Sequence, residues 1–155
     1  MEEKKVVLVE DDPDHADLIL DVFETENVES DVVVMRDGME AVDYFQEMYF
    51  SGQVVQSDIE GGNSRYPLVD LVILDLNLPK VDGISVLKFL KNDSRFSSIP
   101  VVILSTSSDQ DTISKAYKNG ANKYIVKPIS YDEFVEMIES LRNYWINTNT
   151  LFEEN

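Results

Sequence analysis

The chain has 155 residues, enough for one packed domain, and its 30 acidic against 13 basic side chains give a net charge of −17 at pH 7. Such a surface repels phosphate backbones and anionic membranes, so direct nucleic-acid binding is disfavoured, and without cysteine there are no disulfides, thiolate metal sites or cysteine nucleophiles. The opening MEEKKVVLVE lacks the apolar core of a signal peptide and no run approaches the ~20 apolar residues of a membrane span, so a cytoplasmic protein without a membrane role is expected.

In chain order, Val6 to Val9 is the first strand-like run, and it stops at Glu10, Asp11 and Asp12. Asp12 and Pro13 read as a helix cap and first turn, followed by Leu18, Ile19, Val22 and Phe23 on one stripe. The single histidine, His15, lies on this helix as a surface residue without a companion for a metal. Val32 to Met35 forms the second strand, and a second helix starts near Asp37 with Ala41, Val42, Phe45 and Met48. Residues 51–67, SGQVVQSDIEGGNSRYP, are polar, glycine-rich and longer than a compact connection, either a disordered lobe or a loop that meets a partner.

Leu68 to Leu74 is the third and most apolar strand, and it runs into Asp75 followed by Asn77 and Pro79. Asp82 and Gly83 open a helix with Ile84, Leu87 and Leu90. Val101 to Leu104 ends in Ser105 and Thr106; a helix with Ile113, Ala116 and Tyr117 follows and stops at Gly120. Tyr124 to Val126 ends in Lys127 and Pro128, and a capping box from Ser130 to Glu133 opens the last helix, with Phe134, Ile138, Leu141 and Trp145. The helix runs on past the domain core and puts Tyr144, Trp145 and Leu151 beyond its usual end, an aromatic cluster that either covers the bottom of the sheet or buries against a second copy of the chain.

Strands apolar on both faces belong in a covered parallel sheet, and five strands alternating with five helices predict a doubly wound α/β fold. In that fold the site lies outside the carboxyl ends of the strands. Those ends bring together Glu10, Asp11 and Asp12, then Asp75 and Asn77, then Ser105 and Thr106, then Lys127. Clustered carboxylates repel one another unless a cation neutralises them, and oxygen donors without histidine or cysteine favour magnesium. An aspartate can attack phosphorus to form an aspartyl phosphate, whose oxygens an ammonium and a hydroxyl would stabilise.

The segments VLVED (Val7 to Asp11), LVILDLNLP (Leu71 to Pro79), VVILST (Val101 to Thr106) and GANKYIVKP (Gly120 to Pro128) resemble the receiver domain of bacterial and archaeal response regulators. The likeness runs in order over residues 4 to 142. It implies a CheY-like, flavodoxin-like three-layer sandwich with strand order 2-1-3-4-5, a receiver domain over residues 1–145 and a C-terminal tail over 146–155. Asp75 becomes the phosphoacceptor; Glu10 and Asp11, with Asp75 and the backbone carbonyl of Asn77, become the Mg2+ ligands. Ser105 and Lys127 become the phosphoryl contacts, and Ser105 with Tyr124 the switch pair.

The implied function is that of a two-component response regulator, a signalling protein rather than an enzyme. A sensor histidine kinase or phosphotransfer protein would phosphorylate it, and strand 4, helix 4, strand 5 and helix 5 would carry the signal to a protein partner. Too few residues follow the last helix for a DNA-binding output domain. DLNLPK (Asp75 to Lys80), the long loop and the aromatic tail are similar to stand-alone receivers that work with bacterial phytochromes, which points to a phytochrome kinase and a homodimer. The competing readings are a phosphorylation-independent adaptor on the same fold and a phosphatase of the haloacid dehalogenase type. The phosphatase would need a second aspartate where this chain has Asn77.

Overall fold

Successive side chains of a strand point to opposite faces, and in this chain both faces are apolar. The computed structural model describes residues 4–24, 30–50 and 69–148. Within them β1 (Lys4–Val9), β2 (Ser30–Met35), β3 (Leu71–Asp75), β4 (Val101–Ser105) and β5 (Lys123–Val126) form one parallel sheet in the order β2-β1-β3-β4-β5. Val6, Leu8, Leu71, Ile73, Val102 and Leu104 pack on one face against α1 (Pro13–Phe23) and α5 (Tyr131–Arg142). Val7, Val9, Val72, Leu74, Val101 and Ile103 pack on the other, against α2 (Gly38–Phe50), α3 (Gly83–Asn92) and α4 (Gln110–Lys118). The expected doubly wound, three-layer α/β fold is therefore the observed one.

Side-chain caps set where most helices begin. Asp12 accepts the Asp14 and His15 N–H groups, Asp82 that of Ser85, Asp109 that of Thr112, and the Ser130 hydroxyl that of Glu133. Two glycines allow the loops at the carboxyl edge to close. A Cβ on Gly83 would lie 2.4 Å from the Asp75 carbonyl oxygen, and one on Gly38 would lie 1.6 Å from the Val81 carbonyl oxygen.

Register decides what meets at that edge. Val9 lies opposite Leu74, Asp75 opposite Leu104, and Ser105 opposite Val126. Glu10 is thus level with Asp75, Ser105 lies one residue beyond Asp75 and Lys127 one beyond Ser105, so the four emerge side by side.

Some boundaries differ from expectation. β3 is Leu71–Asp75, with Leu68 of the expected run outside the described residues; just before it, Asp70 accepts the Lys5 N–H on its carboxylate at 2.8 Å. β1 and β2 each reach two residues further back, where Lys4 and Lys5 pair with Ser30 and Asp31 and the Lys5–Asp31 side chains form an ion pair at 3.3 Å. After α5 the chain continues as a π-helical segment, Asn143–Thr148. Trp145 is partly buried against the core cluster that α1 and α5 share, whereas Tyr144 stays exposed. The 51–67 loop and residues 149–155 of the tail lie outside the described residues. No helix among the described residues is long and apolar enough to cross a membrane.

Candidate functional site

A parallel sheet buries its centre on both faces, so a polar side chain there needs a partner. Among the described residues the buried polar side chains are Glu10, Asp75, Ser105 and Lys127, all at the carboxyl edge of the sheet. Lys127 joins them. Its Nζ donates to Glu10 Oε1 at 2.8 Å and to Asp75 Oδ2 at 3.1 Å. Glu10 Oε2 accepts the Asp12 N–H at 3.2 Å, and Asp75 Oδ1 accepts the Asn77 N–H at 3.0 Å.

These contacts set the electrostatics. Burial pushes the Glu10 carboxyl up to about 7, with the Lys127 hydrogen bond opposing the rise and the Asp75 carboxylate adding to it. Burial acts to lower Lys127, but Glu10 and Asp75 outweigh it and hold the ammonium above its ordinary range. One lysine therefore balances two buried carboxylates with a third, exposed one, Asp11, beside them.

Oxygens of Glu10, Asp11 and Asp75 all lie within 4.8 Å of one another. Three hard oxygen donors at that spacing, one of them solvent-facing, fit a divalent cation that keeps part of its water. Asn77 is exposed and meets the cluster through its amide, which holds Asp75 Oδ1.

Ser105 and Lys127 are adjacent through the β4–β5 ladder, where the Lys127 N–H donates to the Ser105 carbonyl at 2.7 Å. Ser105 Oγ accepts the Ser107 N–H at 3.1 Å, and the Ser107 carbonyl accepts the Tyr124 hydroxyl at 2.8 Å. Tyr124 is buried in the α2–α4 side of the core. One residue, Ser107, so connects the site's hydroxyl to the aromatic ring.

Two contacts lie outside the expected set. Ser107 links Ser105 to Tyr124 through its backbone amide and carbonyl, which carry no side-chain signal. His15 is not an ordinary surface residue. It is half-buried, stacks on Phe134 at 5.0 Å, and sets Nδ1 3.1 Å from Lys127 Nζ. Its spacing does carry the sign: His15, Ile19 and Val22 fall at i, i+4 and i+7, on the stripe that α1 turns inward.

A five-stranded parallel sheet in this order, with carboxylates, a hydroxyl and a lysine gathered at its carboxyl edge, is the architecture of a receiver domain. The Response regulator receiver domain family matches residues 6–139, and the chain belongs to that family. It is 38% identical over 144 residues to the probable methanogenesis regulatory protein FilR2 of Methanothrix harundinacea, covering 93% of this chain and 84% of that one. It is 30% identical over 148 residues to response regulator Rcp1 of Synechocystis, covering 96% and 92%. The manganese-bound structure of Rcp1 superposes with a TM-score of 0.79 over 94% of this chain and 96% of that one. The phosphorylated cyanobacterial phytochrome response regulator RcpA also superposes at 0.79, with 34% identity over 95% of this chain and 96% of that one. Receiver domains are signalling modules that bind a divalent metal and accept a phosphoryl group.

Proposed function

We propose that the chain accepts a phosphoryl group on Asp75 from a histidine kinase or phosphotransfer protein, with magnesium as the ion. The observation that carries the reading is the convergence of Glu10, Asp75, Ser105 and Lys127 as buried polar side chains at one edge. Glu10, Asp11 and Asp75 would hold the ion, joined by the Asn77 carbonyl. When bound, magnesium offsets the charge of the carboxylates and of the phosphoryl oxygens.

The chain's own groups do the rest. An Asp75 carboxylate oxygen attacks phosphorus; the P–O bond forms as the donor's P–N bond breaks, and the electron pair leaves on the donor imidazole nitrogen. Lys127, already at Asp75 Oδ2, takes a transferred oxygen. Ser105 Oγ uses a lone pair for the Ser107 N–H, which leaves its own hydrogen to donate to the phosphoryl group. Drawing Ser105 toward phosphorus loosens its hold on Ser107, and Ser107 holds Tyr124.

The output face is α4, β5 and the start of α5, together with β4. Exposed Tyr117, Val126, Ile129 and Tyr131 give this side an apolar surface for a protein partner. The likeness to a phytochrome response regulator makes a light-sensing kinase the preferred donor, and a homodimer is the proposed assembly. The receiver domain spans residues 1–145 with 146–155 as a tail, and the protein works in the cytoplasm as a signalling protein rather than an enzyme. Asn77, at the position where a haloacid dehalogenase phosphatase needs its general acid, disfavours turnover.

The test is intact mass after incubation with acetyl phosphate and magnesium. The expected result is a gain of one phosphoryl group in the wild type and none in Asp75→Asn. A wild type that gains nothing at millimolar magnesium supports the phosphorylation-independent adaptor, and multiple turnover of small phosphomonoesters supports the phosphatase.

A further inference from the structure

His15 is the half-buried titratable group that this phosphotransfer chemistry leaves unused. Its ring is held face to face with Phe134 of α5, 5.0 Å between centroids and 25° between planes, which fixes the direction of Nδ1. That nitrogen lies 3.1 Å from Lys127 Nζ. An ammonium has three hydrogens and no lone pair, so the nitrogen facing it is the acceptor. Two of the hydrogens go to Glu10 Oε1 and Asp75 Oδ2, and His15 Nδ1 takes the third. The other charged group beside it is Asp12, whose Oδ2 lies 3.6 Å from Nδ1.

We infer that His15 is a positioning residue for Lys127, holding the ammonium from the α1 side while the carboxylates change partners; the inference rests on the magnesium and phosphoacceptor assignments above. Without metal, Lys127 neutralises the same carboxylates that a divalent ion needs. When the ion enters, the lysine gives up part of those two contacts inside a site where its side chain is only 4% exposed. Water replaces such contacts poorly at that depth. A third acceptor, outside the metal's ligand set, keeps one strong hydrogen bond through the exchange. Imidazole suits the place because it accepts without charge. A carboxylate there would compete for the metal, and a cation would drive Lys127 onto Glu10 and Asp75.

The experiment is calorimetric titration of the full chain with magnesium, comparing wild type with two variants that separate packing from acceptance. His15→Phe keeps a ring on Phe134 and removes the acceptor; His15→Asn gives up the stack and keeps a neutral acceptor near the place of Nδ1. The expected result is that His15→Asn stays within about twofold of the wild-type affinity while His15→Phe weakens it by about tenfold, the scale of one hydrogen bond to a charged group. His15→Leu, which also lacks an acceptor, should repeat the loss and replaces His15→Phe should that variant fail to fold. Wild-type affinity in the variants without an acceptor overturns the inference, as does a loss in His15→Asn as large as theirs. A parallel beryllofluoride titration separates the two levels. A wild type that binds magnesium but no beryllofluoride counts against the phosphoacceptor reading alone, and the magnesium series still decides His15. A wild type that binds no magnesium overturns both.

Discussion

Lys127 Nζ lies closer to Glu10 Oε1, at 2.8 Å, than to Asp75 Oδ2, at 3.1 Å, so the site's lysine is tied first to Glu10 and second to Asp75. Removing it strands two buried carboxylates. Lys127→Met should cost the metal-free protein about 3–5 kcal/mol at neutral pH, the scale for breaking a buried ion pair from one side. Millimolar magnesium should restore part of the loss, and urea unfolding with and without the ion checks both statements.

The same pair gives a pH dependence with an unusual sign. Glu10 is raised from 4.5 to about 7, so the fold holds that proton more tightly than the unfolded chain does. Its contribution favours the fold at low pH and is lost as pH rises from about 4.5 to about 7, on the order of 2–3 kcal/mol. Lys127 is raised above 10.5 and acts only in strongly alkaline solution, outside this window. Melting of the chelator-treated protein should therefore show a decline in stability between pH 5 and 7 that Glu10→Gln lacks and that magnesium flattens. Equal slopes in wild type and Glu10→Gln would contradict it.

Gly83→Ala should disturb Asp75 directly. The new Cβ would meet the Asp75 carbonyl oxygen at 2.4 Å and Leu76 Cα at 2.5 Å, both backbone atoms that cannot step aside without moving the end of β3. A loss of at least about 2 kcal/mol is expected, on the scale of a substitution that forces a packed backbone to shift. Acetyl phosphate labelling should slow in the folded fraction. Unfolding midpoints and intact-mass time courses read the two effects separately.

Tyr124→Phe keeps the ring in the core and removes the hydroxyl that the Ser107 carbonyl accepts. The expected cost is about 1 kcal/mol, that of one neutral hydrogen bond. Phosphorylation of Asp75 should continue at near the wild-type rate while transmission to a partner weakens. Labelling that fell as far as partner binding would place Tyr124 in the chemistry instead of downstream of it.

The pattern of residues reveals those parts of the molecule that act through side chains at predictable places. Apolar runs ending in Glu10, Asp75, Ser105 and Lys127 specify the strands, and doubly wound topology sends their ends to one edge. Contacts made by backbone groups escape that logic. The Lys5 N–H goes to the Asp70 carboxylate at the start of β3, and Ser107 couples Ser105 to Tyr124 through its own amide and carbonyl. His15 was hidden for a different reason. A lone histidine suggests no metal, and its true neighbour, Lys127, is 112 positions away in the chain.

The stepwise register of the sheet has a consequence for how this chemistry can fail. Glu10, Asp75, Ser105 and Lys127 meet because β1, β3, β4 and β5 are each aligned to the residue, and sliding one strand by one position would also turn its core side chains to the wrong face. The arrangement of reactive groups therefore has no separate melting point: it forms when the hydrophobic layers lock and dissolves when they do. Amide hydrogens at the ends of β3 and β4 should exchange by the same global opening as the centre of the sheet, while the loops that choose partners remain free to vary.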